Sequence, residues 1–279
     1  MPFKTIAVFI EPTPAGEARI SYAARLASHY DAHLVGIFKV PSLIGGSAAE
    51  GFVLGHAAVK QVIAQHRARE TEAIEQAQRS SSEICSREGV CMEFRSLVEG
   101  ESDEVALNSL HADLVVAGGW RGNGGLPSDW SAETLVLATG VPCILLPDSW
   151  HGAAPEHVLV AWNASREARR AIVDALPLLV AAKSVTLLLV DAGKNPRHGQ
   201  EPGADIAQYL SRHGVNVSVE QVASKGEPVA KVILAHAKEH AADLVVIGAY
   251  SHARAAQMMF GGVTRSLLRE AAMPLLIAH

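Results

Sequence analysis

Cysteines, aromatic residues and charged residues are all scarce in this sequence. Only 3 of its 279 residues are cysteines, 5% are aromatic and 19% are charged. The cysteines have neither the spacing of a metal site nor the even number that disulfides need, so we expect reduced thiols in a cytoplasmic protein. We expect no signal peptide, because the chain enters a strand pattern directly, and no apolar run is long enough to span a bilayer.

Basic patches of the kind that bind nucleic acids are also missing. The formal net charge is −5 at pH 7, and no block of lysine or arginine alternates with aromatic residues. Because a polyanion attracts a positive surface, this charge balance argues against partners such as nucleic acids and anionic membranes.

Signatures of catalysis and of metal binding are absent or incomplete. The sequence has no Gly-x-Ser-x-Gly motif, and Gly193-Lys194 lacks the upstream glycine and the following Ser or Thr of a P-loop. His236 and His240 have the i, i+4 spacing of a shared metal ion, but a lysine lies between them and the sequence shows no third ligand. We interpret them as the solvated end of a helix, and we expect neither an enzyme nor a metal site.

What the sequence does contain is an internal repeat. The pentapeptide Ala-Asp-Leu-Val-Val occurs at 112–116 and again at 242–246, an offset of 243 − 113 = 130 residues. Gly-Glu precedes both copies, and a proline-led apolar run follows both, at 141–146 and 273–278. Three matches in one order divide the chain into two related halves, which we place at 1–147 and 157–279 around a linker rich in proline and small residues.

Within each half, short apolar runs alternate with amphipathic helical patterns. This alternation predicts an α/β fold in which helices cover both faces of a parallel sheet. The two halves differ between their second and third strands, where the first has roughly 50 residues and the second about 24. In the first half this segment includes one predicted long helix, at about 56–88, whose extra surface is a candidate for homodimerisation or for a protein partner.

The stretch 242–264 combines the features of a phosphate site. An apolar strand ends at Gly248, a loop follows, and Gly261-Gly262 opens the helical pattern that begins at Val263. The start of a helix leaves N–H groups unpaired and its dipole favours an anion, and glycine allows the backbone to approach that anion closely.

These features together resemble the tandem universal stress proteins, in which two domains of this family occur in one chain. The resemblance covers both halves and is most specific at 243–248, 261–265 and 274–278. It implies a doubly wound five-stranded parallel sheet in each half, with strand order 3-2-1-4-5, and pairing of the halves through their final strands. It also implies a binding module of the stress response.

Nucleotide-binding members of the family carry Gly, two residues, Gly, nine residues, and then Gly-Ser or Gly-Thr. Gly248 and Gly261 match this pattern, whereas Ser251 replaces the second glycine and Gly262 replaces the Ser or Thr, with Thr264 two residues further on. The family's aspartate after the first strand is Asn163 here, and an amide can still hydrogen-bond a base or ribose.

We therefore define a candidate site for ATP or a related nucleotide. Ligands of open parallel sheets bind beyond the carboxyl ends of the strands, which adds the end of the second strand to the site. The candidate residues are Trp162, Asn163, Val190, Gly248, Ser251, His252, Gly261, Gly262, Val263 and Thr264. Trp162 either flanks a purine or fills the pocket, and His252 either faces an anion or is a surface residue.

The first half lacks the phosphate loop. Gly118 corresponds to Gly248, but Asp129 or Trp130 falls near the position of the glycine pair, where a carboxylate would repel phosphate. Two alternatives to a nucleotide-regulated module stay open. One is an interaction protein with a degenerate pocket, and the other is an adenylate-forming enzyme, whose phosphate motifs do not occur in this sequence.

Overall fold

A computed structural model describes residues 2–40, 56–97, 108–118, 132–249 and 262–279. The first half contributes strands β1 (Thr5–Ile10), β2 (His33–Lys39), β3 (Met92–Leu97), β4 (Leu114–Gly118) and β5 (Cys143–Leu146), and helices α1 (Pro14–Tyr30), α2 (His56–Arg87) and α3 (Ala132–Thr139). The second half contributes strands β6 (His157–Ala161), β7 (Ser184–Val190), β8 (Val217–Val222), β9 (Leu244–Gly248) and β10 (Leu275–Ala278), and helices α4 (Arg166–Ala181), α5 (Ala204–Arg212), α6 (Val229–Glu239) and α7 (Gly262–Glu270).

The strands form one ten-stranded sheet, in the order β3-β2-β1-β4-β5-β10-β9-β6-β7-β8. Each half is parallel within itself and has the order 3-2-1-4-5. This confirms the predicted fold class. Because each final strand would otherwise leave an open edge, the two halves join there, and β10 runs antiparallel to β5 with Leu276 opposite Ile144.

The two faces of the sheet carry separate hydrophobic layers, and each layer runs through both halves. Alternation along β1 directs Ile6 and Val8 to one layer and Ala7 and Phe9 to the other. Helices α1, α2, α4 and α5 cover the first layer, and α3, α6 and α7 cover the second. The residues predicted for the nucleotide site therefore belong to a half whose hydrophobic layers are continuous with those of the first half.

The aspartate of the repeated pentapeptide has a structural role in both halves. The carboxylate of Asp113 accepts hydrogen bonds from the N–H groups of Lys4 and Thr5 at 2.7 and 2.9 Å. That of Asp243 accepts them from Glu156 and His157 at 2.8 and 2.9 Å. Each aspartate thus anchors the start of the first strand of its half to the fourth, which explains why this part of the repeat reappears.

The long helix of the first half has no equivalent of similar length among the described elements of the second. Helix α2 has 32 residues, whereas α5, which connects the same pair of strands, has 9. Among the described side chains of α2, the buried ones lie from Ala77 onward, and Ile63 is exposed. No helix in the described part of the chain is both long and apolar enough to cross a membrane.

Candidate functional site

A cavity of about 570 Å³ opens at the carboxyl ends of the strands of the second half. Ala161 at the end of β6 and Ile247 at the end of β9 lie on either side of it, where the strand order reverses. This is the switch point at which open parallel sheets bind ligands. The apolar floor of the cavity is formed by Leu188, Val229, Ile233, Ile247 and Leu267.

Seven of the ten residues predicted for the site line this cavity. They are Trp162, Asn163, Val190, Gly248, Gly262, Val263 and Thr264. The other three, Ser251, His252 and Gly261, lie outside the described residues. The structure thus brings together side chains that are about a hundred residues apart in the sequence, from β6, β7, β9 and α7.

The loop between β6 and α4 shapes one wall of the cavity. Ala164 has a left-handed backbone with φ 55°, and Ser165 then caps α4 by accepting a hydrogen bond from the N–H of Ala168 at 3.1 Å. The side-chain oxygen of Asn163 accepts the N–H of Ser165 at 3.2 Å. Because the amide oxygen is engaged in this turn, the NH₂ group of Asn163 is the part available to a ligand.

Gly248 has a packing role that the sequence did not reveal. A Cβ atom at this position would lie 2.2 Å from the backbone nitrogen of Ala168 and 2.3 Å from the carbonyl carbon of Glu167. The end of β9 therefore approaches the first turn of α4 so closely that only glycine fits. Gly248 therefore shapes the cavity by allowing β9 and α4 to pack closely against each other.

The start of α7 forms the opposite wall. Gly262, Val263 and Thr264 are the first three residues of this nine-residue helix, and their N–H groups have no acceptor within the helix itself. The side chain of Thr264 is buried at 6% exposure and lines the cavity. A Cβ on Gly262 would meet nothing within 4 Å, so this position has room for a side chain.

Two polar residues of the cavity were missed at the sequence level. Two short 3₁₀ turns, at 192–194 and 196–198, follow β7; Asn195 lies between them and Arg197 lies in the second. The Nδ2 group of Asn195 donates to the carbonyl of Asn163 at 3.1 Å, which fixes this segment over the first wall. The Asn-Pro pair marked a turn, but nothing local to the sequence indicated that the turn folds back over β6.

Asp191 holds that segment in place. Its carboxylate accepts hydrogen bonds from the hydroxyl and the N–H of Ser224 at 2.6 and 2.9 Å, and from Lys194 at 2.9 Å. These donors, the Ser224 hydroxyl first, lower the pKa of Asp191 from 3.8 to about 2. The ionised carboxylate therefore ties the end of β7 to the loop after β8, below the 3₁₀ turns that carry Arg197.

The first half has an ion pair at the corresponding place. Glu11 stands at the position of Asn163 when the residues bound by the two repeated aspartates are matched. Its carboxylate lies 2.7 Å from the guanidinium of Arg19, which is 2% exposed and also contacts Asp148 at 2.8 Å. Two carboxylates around one buried arginine present negative charge where a nucleotide would approach.

Comparison with known proteins supports the family recognised from the sequence. Residues 155–279 match the model of the Universal stress protein family. The universal stress protein Slr1230 of Synechocystis sp. is 23% identical over 228 residues, which cover 80% of this chain and 72% of that protein. Recognition of the family is thereby confirmed, and residues 155–279 are the part of the chain that matches its model.

Solved structures extend the likeness in fold to the whole chain. A universal stress protein from Archaeoglobus fulgidus superposes with a TM-score of 0.71 at 15% identity, covering 98% of this chain and 95% of that one. The functionally unknown protein PA1789 from Pseudomonas aeruginosa gives 0.58 at 13% identity, covering 99% and 92%. The fold of both halves is thus shared with chains of similar length.

Proposed function

We propose that this protein is a stress-response binding module whose second half binds ATP or a related nucleotide. The observation that supports the proposal is the cavity at the switch point, which the start of a helix and an arginine border on its polar side. The proposal places the chain among binding proteins of the cytoplasm and leaves the first half as a structural domain.

The polar side of the cavity suits phosphates. The N–H groups of Gly262, Val263 and Thr264 begin α7, where the helix dipole favours an anion. The guanidinium of Arg197 borders the same cavity and is exposed, and no ion pair within the described residues involves it. Backbone donors on one side and a cation on the other can share the charge of a di- or triphosphate.

The apolar side suits a nucleoside. The floor residues are aliphatic, and Val190 extends them towards the end of β7. Trp162 is half-buried and packs against the core of the sheet while lining the cavity, so its ring can border a base without moving. The free NH₂ of Asn163 can donate to a ring nitrogen or a ribose oxygen.

The lining also favours binding over catalysis. Among the described lining residues, Arg197 alone has a charged side chain, and none is a carboxylate, a histidine or a cysteine. A general base or a metal ligand would have to come from another part of the chain. We therefore propose a site that responds to nucleotide concentration and does not turn the nucleotide over.

The departures from the family pattern can be tested by reversal. Gly262→Ser adds a hydroxyl next to the phosphate position in a place where a Cβ meets nothing, and Gly262→Ala is its matched control. We expect calorimetry to show ATP binding to the native chain, about tenfold tighter binding to Gly262→Ser and no gain for Gly262→Ala.

The double variant Ser251→Gly, Gly262→Ser restores both altered positions and serves as the decisive case. Heat of binding in the double variant alone indicates a degraded nucleotide site in the native chain. If neither protein shows heat with ATP, ADP or adenosine, the cavity is not a nucleotide site, and an interaction protein with a degenerate pocket replaces this proposal.

We also propose that the exposed first half of α2 mediates homodimerisation of tandem chains. In the stretch 61–72 the described side chains are almost all exposed, and one of them is the apolar Ile63 at 43%. Sedimentation of the native chain should show a dimer that Ile63→Asp weakens. A native monomer, or a dimer that the substitution leaves unchanged, removes α2 from this role.

A further inference from the structure

Two histidines and one glutamate converge at the outer edge of the second half, and none of the three lines the nucleotide cavity. Glu220 lies on the edge strand β8, and His236 and His240 lie on and just after α6. One ligand atom from each of these three side chains lies within 4.8 Å of the other two. This cluster has the composition of a transition-metal site.

The fold explains why these three side chains meet. Alternation along β8 directs Glu220 to the same face as Val222, which packs against the layer covered by α6. The two histidines are four residues apart at the end of α6, so they lie on the same side of the helix. Ile233 and Ala237 of the same helix are buried in that layer, and this fixes the histidine face towards the strand edge.

The distances fit a tetrahedral ion after a small adjustment. One oxygen of Glu220 lies 3.0 Å from Nε2 of His240 and 3.7 Å from Nδ1 of His236. Ligand atoms bound to one tetrahedral Zn²⁺ at ordinary bond lengths are about 3.3 Å apart. The imidazole rings are nearly parallel, at 17°, with centroids 6.3 Å apart, so the rings must rotate to present a nitrogen from each to one ion.

A second observation points to a missing partner. Nδ1 of His236 is buried and makes no hydrogen bond within the described residues. A buried polar atom without a partner costs free energy, so such atoms are rare unless a water or an ion completes them. A salt bridge between Glu220 and His240 accounts for two of the three side chains but leaves this nitrogen unexplained.

We propose that Glu220, His236 and His240 bind a divalent transition metal ion, with Zn²⁺ the best match to two imidazoles and one carboxylate. Three protein ligands leave one position for water or for Glu239, whose carboxylate lies 3.8 Å from Nδ1 of His236 and is 72% exposed. The ion joins the edge strand β8 to α6. The sequence alone suggested no third ligand, because Glu220 precedes the histidine pair by 16 residues and belongs to another element.

The test measures Zn²⁺ affinity by competition with a chromogenic chelator, on the full chain without a histidine tag. The background carries Cys91→Ser, because Cys91 is an exposed thiol that could bind zinc by itself. The variants are His236→Ala, His240→Ala and Glu220→Gln, and His213→Ala is the matched control, since His213 is exposed at the end of another helix. Thermal unfolding without metal verifies that each variant folds.

We expect one Zn²⁺ per chain, with affinity lowered at least about tenfold by either histidine substitution and unchanged by His213→Ala. Glu220→Gln keeps the shape of the side chain and should weaken binding through the loss of its charge. With Co²⁺ the native site should give the visible bands of a tetrahedral nitrogen and oxygen site, which His236→Ala abolishes. Equal Zn²⁺ affinity in the native chain and in both His236→Ala and His240→Ala overturns the proposal, as does an equal loss in His213→Ala.

Discussion

Gly248→Ala isolates the steric role of the glycine at the end of β9. A Cβ there would lie 2.2, 2.3 and 2.6 Å from backbone atoms of Ala168 and Glu167. Backbone atoms at the start of α4 cannot rotate away as a side chain can, so β9 or the helix must move. The φ angle of Gly248 is not positive, so alanine meets no backbone strain of its own and the whole cost is steric.

The expected magnitude follows from this geometry. Adding one carbon to a packed interior typically costs about 1–3 kcal/mol, and rigid backbone neighbours put this position near the upper end. For a chain of this size each kcal/mol lowers the midpoint of thermal unfolding by roughly 2–4 °C. We therefore expect Gly248→Ala to unfold about 6–12 °C below the native chain.

Gly262→Ala is the matched control, because a Cβ at that position meets nothing within 4 Å. Alanine also favours the helix that begins there, so we expect a midpoint equal to or slightly above that of the native chain. Circular dichroism during heating, with both variants in the same buffer, measures the two effects. If Gly248→Ala unfolds within about 2 °C of the native chain, the close approach of β9 to α4 is not a constraint and the packing argument is wrong.

Three further predictions concern Asp243, Asp191 and Arg197. Asp243→Ala leaves the N–H groups of Glu156 and His157, at the start of the second half's first strand, without their acceptor, and urea unfolding should show a loss of about 1–2 kcal/mol; an unchanged midpoint contradicts the anchoring role. The pKa of Asp191 is lowered from 3.8 to about 2, so its stabilising contribution is present above pH 3.8 and is lost as the pH falls towards 2; Asp191→Asn should remove this part of the acid dependence, and parallel acid-unfolding curves for the two proteins contradict it. Arg197→Ala should weaken ATP binding about three- to tenfold in calorimetry, whereas Arg212→Ala, at an exposed helix end, should not; equal affinities place the phosphates elsewhere.

The sequence by itself determined the elements and their order. Apolar runs that are buried on both faces predicted the parallel strands, and the repeated pentapeptide predicted two equivalent halves. The cap of α4 at Ser165 was also predictable, because capping depends on residues only three positions apart. These patterns involve residues that are close together in the sequence, so they predict local structure without knowledge of the tertiary contacts.

Pairing of the halves was predictable for a related reason. Both final strands repeat the same apolar run, and each would leave an unpaired sheet edge in its own half. Antiparallel pairing of β5 with β10 provides hydrogen-bond partners for both edges. Most of the predicted lining of the cavity followed from the rule that ligands bind beyond the carboxyl ends of parallel strands.

Tertiary structure alone decided which distant residues join these elements. Arg197 reaches the cavity because Asp191 and Asn195 fold its segment back over β6, and Glu220 reaches the two histidines because the edge strand passes close to the end of α6. The need for glycine at 248 likewise depends on how closely a strand end and a helix start approach each other. Such contacts depend on the distance in space between chain segments that are far apart in the sequence. The sequence pattern does not give that distance, because it is set only when the sheet is assembled.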